Sequence, residues 1–126
     1  MTNTAADLVA QARATIRETE PTEIRQRLAA AAIIDVREPA EYATGHIPGA
    51  INIPRGMLEF QIDNHPLLAK AADAAAERSR PIVVYCQTGG RAALAAATLR
   101  ELGYSNVESI KGGIRAWAEA ELALAT

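Results

Sequence analysis

Apolar positions along this chain follow two rhythms. Leu8, Val9, Ala12 and Ile16 recur at helical spacing, which predicts a first helix over Ala6–Thr19. Pro21 interrupts that pattern, and Thr22 is placed to cap a second helix running through Glu23–Leu28. Ala32–Val36 is different in kind, a short apolar run of the length of a buried strand. After Pro39, Ala40–Ala43 has room for a helical turn or two before the breakers of Gly45–Gly49, and Ala50–Pro54 reads as a very short strand closed by proline. Arg55–Asn64 reads as loop with some helix. Pro66–Arg80 reads as helix, with Leu67, Leu68, Ala71, Ala72 and Ala75 on one side. Pro81–Tyr85 is the clearest strand, apolar and β-branched, and Arg91–Leu102 is a strong helix that Gly103 can terminate. Val107–Ile110 reads as a strand and Gly112-Gly113 as a turn. Ile114–Leu124 is then a last helix with Trp117 facing inward.

Strands separated by helical crossovers imply an α/β fold, a parallel sheet covered on both faces. A length of 126 residues suits one domain. With 49% hydrophobic residues and a net charge of −2, disorder is excluded. The 13 basic residues are outnumbered by 15 acidic ones, which argues against a nucleic-acid partner. No apolar run approaches the roughly 20 residues that would span a bilayer, so no membrane partner is expected. The first residues carry neither a basic flank nor an apolar stretch, and the expected location is cytoplasmic.

Cysteine usage narrows the chemistry further. Cys86 is the one cysteine, and the two histidines, His46 and His65, are far apart in the chain, so no metal site or internal disulfide is expected. Any thiol chemistry must use Cys86 with a second thiol from another molecule. Cys86 follows a strand and opens the stretch Cys86-Gln87-Thr88-Gly89-Gly90-Arg91, which leads into a helix. In open α/β sheets ligands bind beyond the carboxyl ends of strands. Gly89 and Gly90 permit backbone turns that let successive amides converge on an anion, reinforced by the helix start and by Arg91. Helix N-termini and adjacent cations favour thiolate over thiol, the form that attacks. The plainer reading of Cys86 is a small buried hydrophobe at a strand end. The glycine-rich loop, the arginine and the helix start together favour the nucleophile.

At this point the sequence resembles the rhodanese family of sulfurtransferases. Asp35-Val36-Arg37-Glu38-Pro39, Glu41-Tyr42, Gly45-His46-Ile47-Pro48-Gly49-Ala50 and Asn52-Ile53-Pro54 look like that family's first signature. Cys86 to Arg91 looks like its active-site loop, and Gly112-Gly113-Ile114 with Trp117 like its C-terminal signature. The resemblance spans about Thr22 to Leu122. It implies a single rhodanese-like domain at 22–126, with a central five-stranded parallel sheet flanked by helices, and leaves 1–21 as an N-terminal helical extension. It further implies a ping-pong cycle without a cofactor. Cys86 would take sulfur from thiosulfate or a small persulfide, hold it as a persulfide, and pass it to cyanide or a thiol acceptor. The amides of Gln87, Thr88, Gly89, Gly90 and Arg91 would stabilise the persulfide anion. Related phosphatases and arsenate reductases use a longer Cys-to-Arg loop; here only Gln87, Thr88, Gly89 and Gly90 intervene, which suits one sulfur atom better than a tetrahedral oxyanion. A catalytically idle binding or sulfur-sensing module of the same family is the competing reading.

Several residues admit two readings each. Asp35 and Arg37 either orient the loop or contact the donor, or they form a structural turn in which Arg37 pairs with a neighbouring acid. Arg91 either binds the donor or pairs with an acid such as Glu38. His46 reads as structural. Arg55, Met57, Leu58 and Phe60 either line the entrance or simply pack. The N-terminal helix either pads the domain or mediates self-association, so both monomer and homodimer are open.

Overall fold

Thr4 opens the first helix with a reciprocal cap. Its hydroxyl accepts from the Asp7 amide at 3.1 Å, and the Asp7 carboxylate accepts from the Thr4 amide at 2.9 Å. In the computed structural model, which describes residues 3–126, this helix is α1, Ala5–Arg13. Then come β1 (Arg17–Thr19), α2 (Pro21–Arg25), β2 (Ala32–Asp35), α3 (Pro39–Thr44), β3 (Ile51–Asn52) and α4 (Leu58–Gln61). The second half adds α5 (Ala74–Ser79), β4 (Ile82–Tyr85), α6 (Gly90–Glu101), β5 (Val107–Ile110) and α7 (Gly113–Glu119). All five strands are parallel, in the order β1-β5-β4-β2-β3. The α/β class and the five-stranded parallel sheet are as expected.

Alternation along the strands sorts the core onto two faces. Ile34, Val84 and Cys86 point to one side, where Leu58, Ile62 and the small residues Ala92, Ala95 and Ala96 of α6 cover them. Ile33, Val83 and Tyr85 point to the other, against Ile24 of α2 and Ile114 and Trp117 of α7. Alanines on α6 let it lie close to the sheet, while α1 packs against α6 from outside. Cys86 thus follows the central strand β4 directly, at the carboxyl end of the sheet.

Four elements differ from the sequence pattern, each for a tertiary reason. The first helix ends at Arg13, and Arg17–Thr19 forms the edge strand β1, registered against Glu108–Ile110 of β5. Pro21 begins α2 at its first turn, with Glu20 rather than Thr22 as the cap position. Of Pro66–Arg80 only Ala74–Ser79 is helical, started by the Asp73 carboxylate accepting from Ala76 N at 2.9 Å. That stretch offers mostly alanine to the sheet and leaves Leu67 72% exposed, too little apolar packing to hold a short helix in water. The last helix stops at Glu119, and the tail turns back so that Ala125 and His46 exchange backbone hydrogen bonds. Trp117 is buried as expected, its indole N–H donating to Ala123 O at 2.9 Å.

The β1 edge is held by a carboxylate inside the sheet's flank. Glu108 of β5 is 3% exposed. It accepts from Arg17 (2.7 Å), from Thr19 Oγ1 (2.6 Å), and through both oxygens from Arg27 (2.8 and 2.9 Å). Burial pushes this carboxyl up, but the hydrogen bonds from Arg27, Thr19 and Arg17 outweigh it and hold the pKa at about 2, below the ordinary 4.5. A depressed carboxylate contributes stability that is fully present above pH 4.5 and is lost as pH falls toward 2. We expect Glu108→Gln to lower stability by about 1–3 kcal/mol near neutrality, the range for losing charged hydrogen bonds. Below that acid window the variant and the wild type should converge in a urea titration. A gap that persists undiminished at pH 2 would show that packing rather than charge is responsible.

Candidate active site

The position of Cys86 comes from a strand feeding directly into a helix. Tyr85 ends β4, Cys86 follows it, and α6 begins at Gly90, so that Gln87, Thr88 and Gly89 turn the chain. Gly89 has φ +120°, a conformation that L side chains rarely adopt. Cys86 is 1% exposed. Its Sγ accepts from Gly89 N at 3.1 Å and from Ala92 N at 3.4 Å. Ala92 is the third residue of α6, where an N–H has no partner within the helix. Its amide escaped the sequence reading, which stopped at Arg91; counting three residues beyond the cap would have found it.

The outer side of the loop is clamped by α7. Cys86 O accepts from Ile114 N at 2.9 Å and Gln87 O from Arg115 N at 3.1 Å. A trans peptide sets its N–H opposite to its C=O, so these two clamps turn the amides of Gln87 and Thr88 away from α7. Gly113 makes the clamp possible. A Cβ there would lie 2.5 Å from Gln87 O and 2.6 Å from Cys86 O, and its φ is +66°. The sequence marked Gly112-Gly113 as a turn and as part of the C-terminal signature; its contact with the Cys86 loop is visible only in the tertiary structure.

The charged residues resolve differently from one another. Arg91 is partly exposed, and its guanidinium forms two hydrogen bonds with Glu41, at 2.7 and 3.0 Å. The acid partner is therefore Glu41 of α3, not Glu38. These bonds hold Glu41 at about 2. The same pairing raises Arg91 above its ordinary value against the cost of burial, with the nearby Cys86 adding to the effect. Asp35 and Arg37 form a buried pair at the end of β2. The Arg37 Nη2 donates to Asp35 Oδ2 at 2.7 Å and to Gly45 O at 2.7 Å, while its backbone N–H donates to Asp35 Oδ1 at 2.9 Å. Burial opposes the Arg37 charge, and Asp35 more than compensates. Asp35 pairs in register with Tyr85, so this ion pair braces the strand end one residue before the cysteine. Its charge is spent within the protein.

The remaining residues are less central. Gln87 and Thr88 are exposed at the rim. His46 stacks on Tyr42 with ring centroids 3.8 Å apart and its Nδ1 lies 3.1 Å from Tyr42 O, a structural placement. Leu58 is buried in the cluster that contains Cys86, whereas Met57 and Phe60 stay exposed. Among the described residues no group of three or more His, Cys, Asp or Glu side chains could hold a metal ion. Among the described residues no helix is long and apolar enough to cross a membrane.

A parallel α/β sheet whose central strand leads straight into a cysteine, a short loop with amides on its sulfur and a helix start defines a class of thiol-centred α/β domain. Comparison with known proteins makes the class specific. The rhodanese-like domain pattern matches residues 20–120. A sulfurtransferase of Allochromatium vinosum is 33% identical over 106 residues, covering 82% of this chain and 89% of that protein. The human thiosulfate:glutathione sulfurtransferase is 36% identical over 104 residues, covering 79% and 90%. Among solved structures, a Rhodopseudomonas palustris protein of unknown function, described as a possible tyrosine phosphatase, superposes with a TM-score of 0.82 at 31% identity over 99% of this chain and 96% of that one. The chain belongs to the rhodanese-like domain family and is a rhodanese-type sulfurtransferase.

The Gly113 contact has a direct consequence. Gly113→Ala should force the loop away from α7 and lower the melting temperature, at a cost of about 1–3 kcal/mol typical of a strained left-handed position. Sulfur transfer should fall by more than the loss of folded protein explains. A variant with wild-type stability and rate would show that the loop tolerates the displacement.

Proposed function

We propose that this protein carries sulfane sulfur on Cys86, taking it from thiosulfate or a low-molecular-weight persulfide and passing it to cyanide or a thiol. The observation that carries this reading is the Cys86 sulfur itself, buried at the base of the loop and bonded by the amides of Gly89 and Ala92. In the first half-reaction the Cys86 thiolate attacks the outer sulfur of thiosulfate. A sulfur–sulfur bond forms to Cys86 while that of the donor breaks, and sulfite leaves with the electron pair. The product is a Cys86 persulfide with negative charge on its terminal sulfur. The loop amides from Gln87 to Arg91, with Gly89 N already at the sulfur, and the start of α6 suit that charge, as oxyanion-hole donors suit an oxyanion. In the second half-reaction the acceptor attacks the terminal sulfur and regenerates the Cys86 thiolate.

The remaining loop residues divide the work. Gly89 and Gly90 admit the turn, Arg91 adds positive charge beside the sulfur while Glu41 fixes its direction, and Asp35 with Arg37 keeps the end of β2 rigid against Tyr85. With one cysteine in the chain the persulfide has no internal thiol to resolve it, which suits transfer to an outside acceptor. A free thiol nucleophile also suits the reducing cytoplasm.

Intact-protein mass spectrometry tests this directly. Incubation with thiosulfate should add one sulfur atom, cyanide should remove it, and Cys86→Ser should never gain it. Absence of any gain with thiosulfate, glutathione persulfide and polysulfide would favour the idle binding module instead.

A further inference from the structure

Thiosulfate and similar donors present oxyanion groups beside the sulfur that is transferred, and those groups need a cation. Arg37 is buried against Asp35 and Gly45, and Arg91 is bound through two nitrogens to Glu41. Another guanidinium stands at the loop. Arg13, the last residue of α1, reaches across to Gly89: a Cβ built on that glycine would lie 3.1 Å from Arg13 Nη2. Beside it, Val9 Cγ2 would lie 3.8 Å from a Cβ on Gly90, so α1 rests directly on the start of α6. Because Gly89 N is 3.1 Å from Sγ, the covalent geometry of one residue keeps this guanidinium within about 9 Å of the sulfur. A donor whose outer sulfur is in contact with Cys86 holds its oxygens within that same radius of the sulfur, in reach of a side chain as long as arginine.

We propose that Arg13 is a donor-binding residue, contacting the oxyanion end of the sulfur donor while the loop receives its sulfur. This rests on the sulfur-transfer reading and extends it to a helix outside residues 20–120, where the family pattern lies. Glu18 supports the arrangement. Its carboxylate lies 3.5 Å from Arg13 Nε, on a side chain that remains 44% exposed. One edge of the guanidinium is thereby oriented, and Nη2 faces the loop. Gly89 is then needed twice over, for its φ of +120° and for the space that the guanidinium occupies. A purely structural Arg13, complementing the C-terminal end of the α1 dipole, would affect stability without distinguishing donors.

The test is steady-state kinetics of the full chain with thiosulfate, a dianion, and with methanethiosulfonate, a monoanion. Arg13→Gln should raise KM for thiosulfate by about fivefold to tenfold, the size of one partly exposed charge-assisted contact. It should leave kcat within about twofold and raise KM for the monoanion less. Arg13→Lys should recover most of the affinity. Lys70→Gln removes the same charge near Ala69 and Arg80, at the amino ends of the strands, and should leave both KM values unchanged. An active wild type with Arg13→Gln at wild-type KM would overturn this inference alone, as would an equal rise for both donors or an equal effect of Lys70→Gln. A wild type that takes sulfur from glutathione persulfide or polysulfide but from neither of these donors would overturn this inference alone, and one that takes sulfur from none of them would overturn the sulfur-transfer reading itself.

Discussion

The capture of two loop carbonyls by the first amides of α7 is the contact on which the site depends. With Cys86 O and Gln87 O held by Ile114 N and Arg115 N, the peptide planes that follow have no freedom to turn outward. Their amides are turned away from α7, and the same loop continues into α6, with Gly89 N and Ala92 N reaching Sγ. Backbone amides make the hydrogen bonds to the Cys86 sulfur, with the Arg91 charge nearby. Backbone dipoles, fixed in advance by a helix on the far side, form the cradle.

The rest of the fold keeps that clamp in register. Cys86 follows a strand with neighbours on both sides, β2 and β5, so its position is set by two ladders rather than by a free edge. The buried Asp35–Arg37 pair braces β2, and Tyr85 receives the Ile47 amide at 3.1 Å, tying the following loop to the same strand end. At the opposite edge β1 is secured by Glu108 with Arg17, Thr19 and Arg27. β1 follows directly on α1, so the edge strand also fixes where Arg13 lies. A segment that looked peripheral in the sequence is in this way joined to the rim of the site.

Charge around the site is distributed by pairing. Arg37 neutralises Asp35 inside the protein, and Arg91 is directed by Glu41 while remaining close to Cys86. Glu41 sits at about 2, so this pairing is intact wherever the protein is folded near neutrality. Arg13 shares Glu18 through a single longer contact of 3.5 Å. The pairing of Arg13 is the longest of the three, and that of Arg37 the most buried.

Local signals determined a good part of this protein. The apolar runs Ala32–Val36 and Pro81–Tyr85, the helix over Arg91–Leu102, and the order Cys86-Gln87-Thr88-Gly89-Gly90-Arg91 all act over a few residues, where period and turn chemistry are written directly. Other features were decided only in three dimensions. Arg17–Thr19 carries no strand pattern of its own and becomes one because β5 offers it a parallel edge and a buried carboxylate. Pro66–Arg80 has helical spacing but too little apolar surface to be held against the sheet. Glu41 rather than Glu38 meets Arg91, and Gly113 and Arg13 approach the loop from opposite ends of the chain. These contacts join residues far apart in sequence, and which of them form depends on how the helices pack on the sheet, a property no short window of sequence contains.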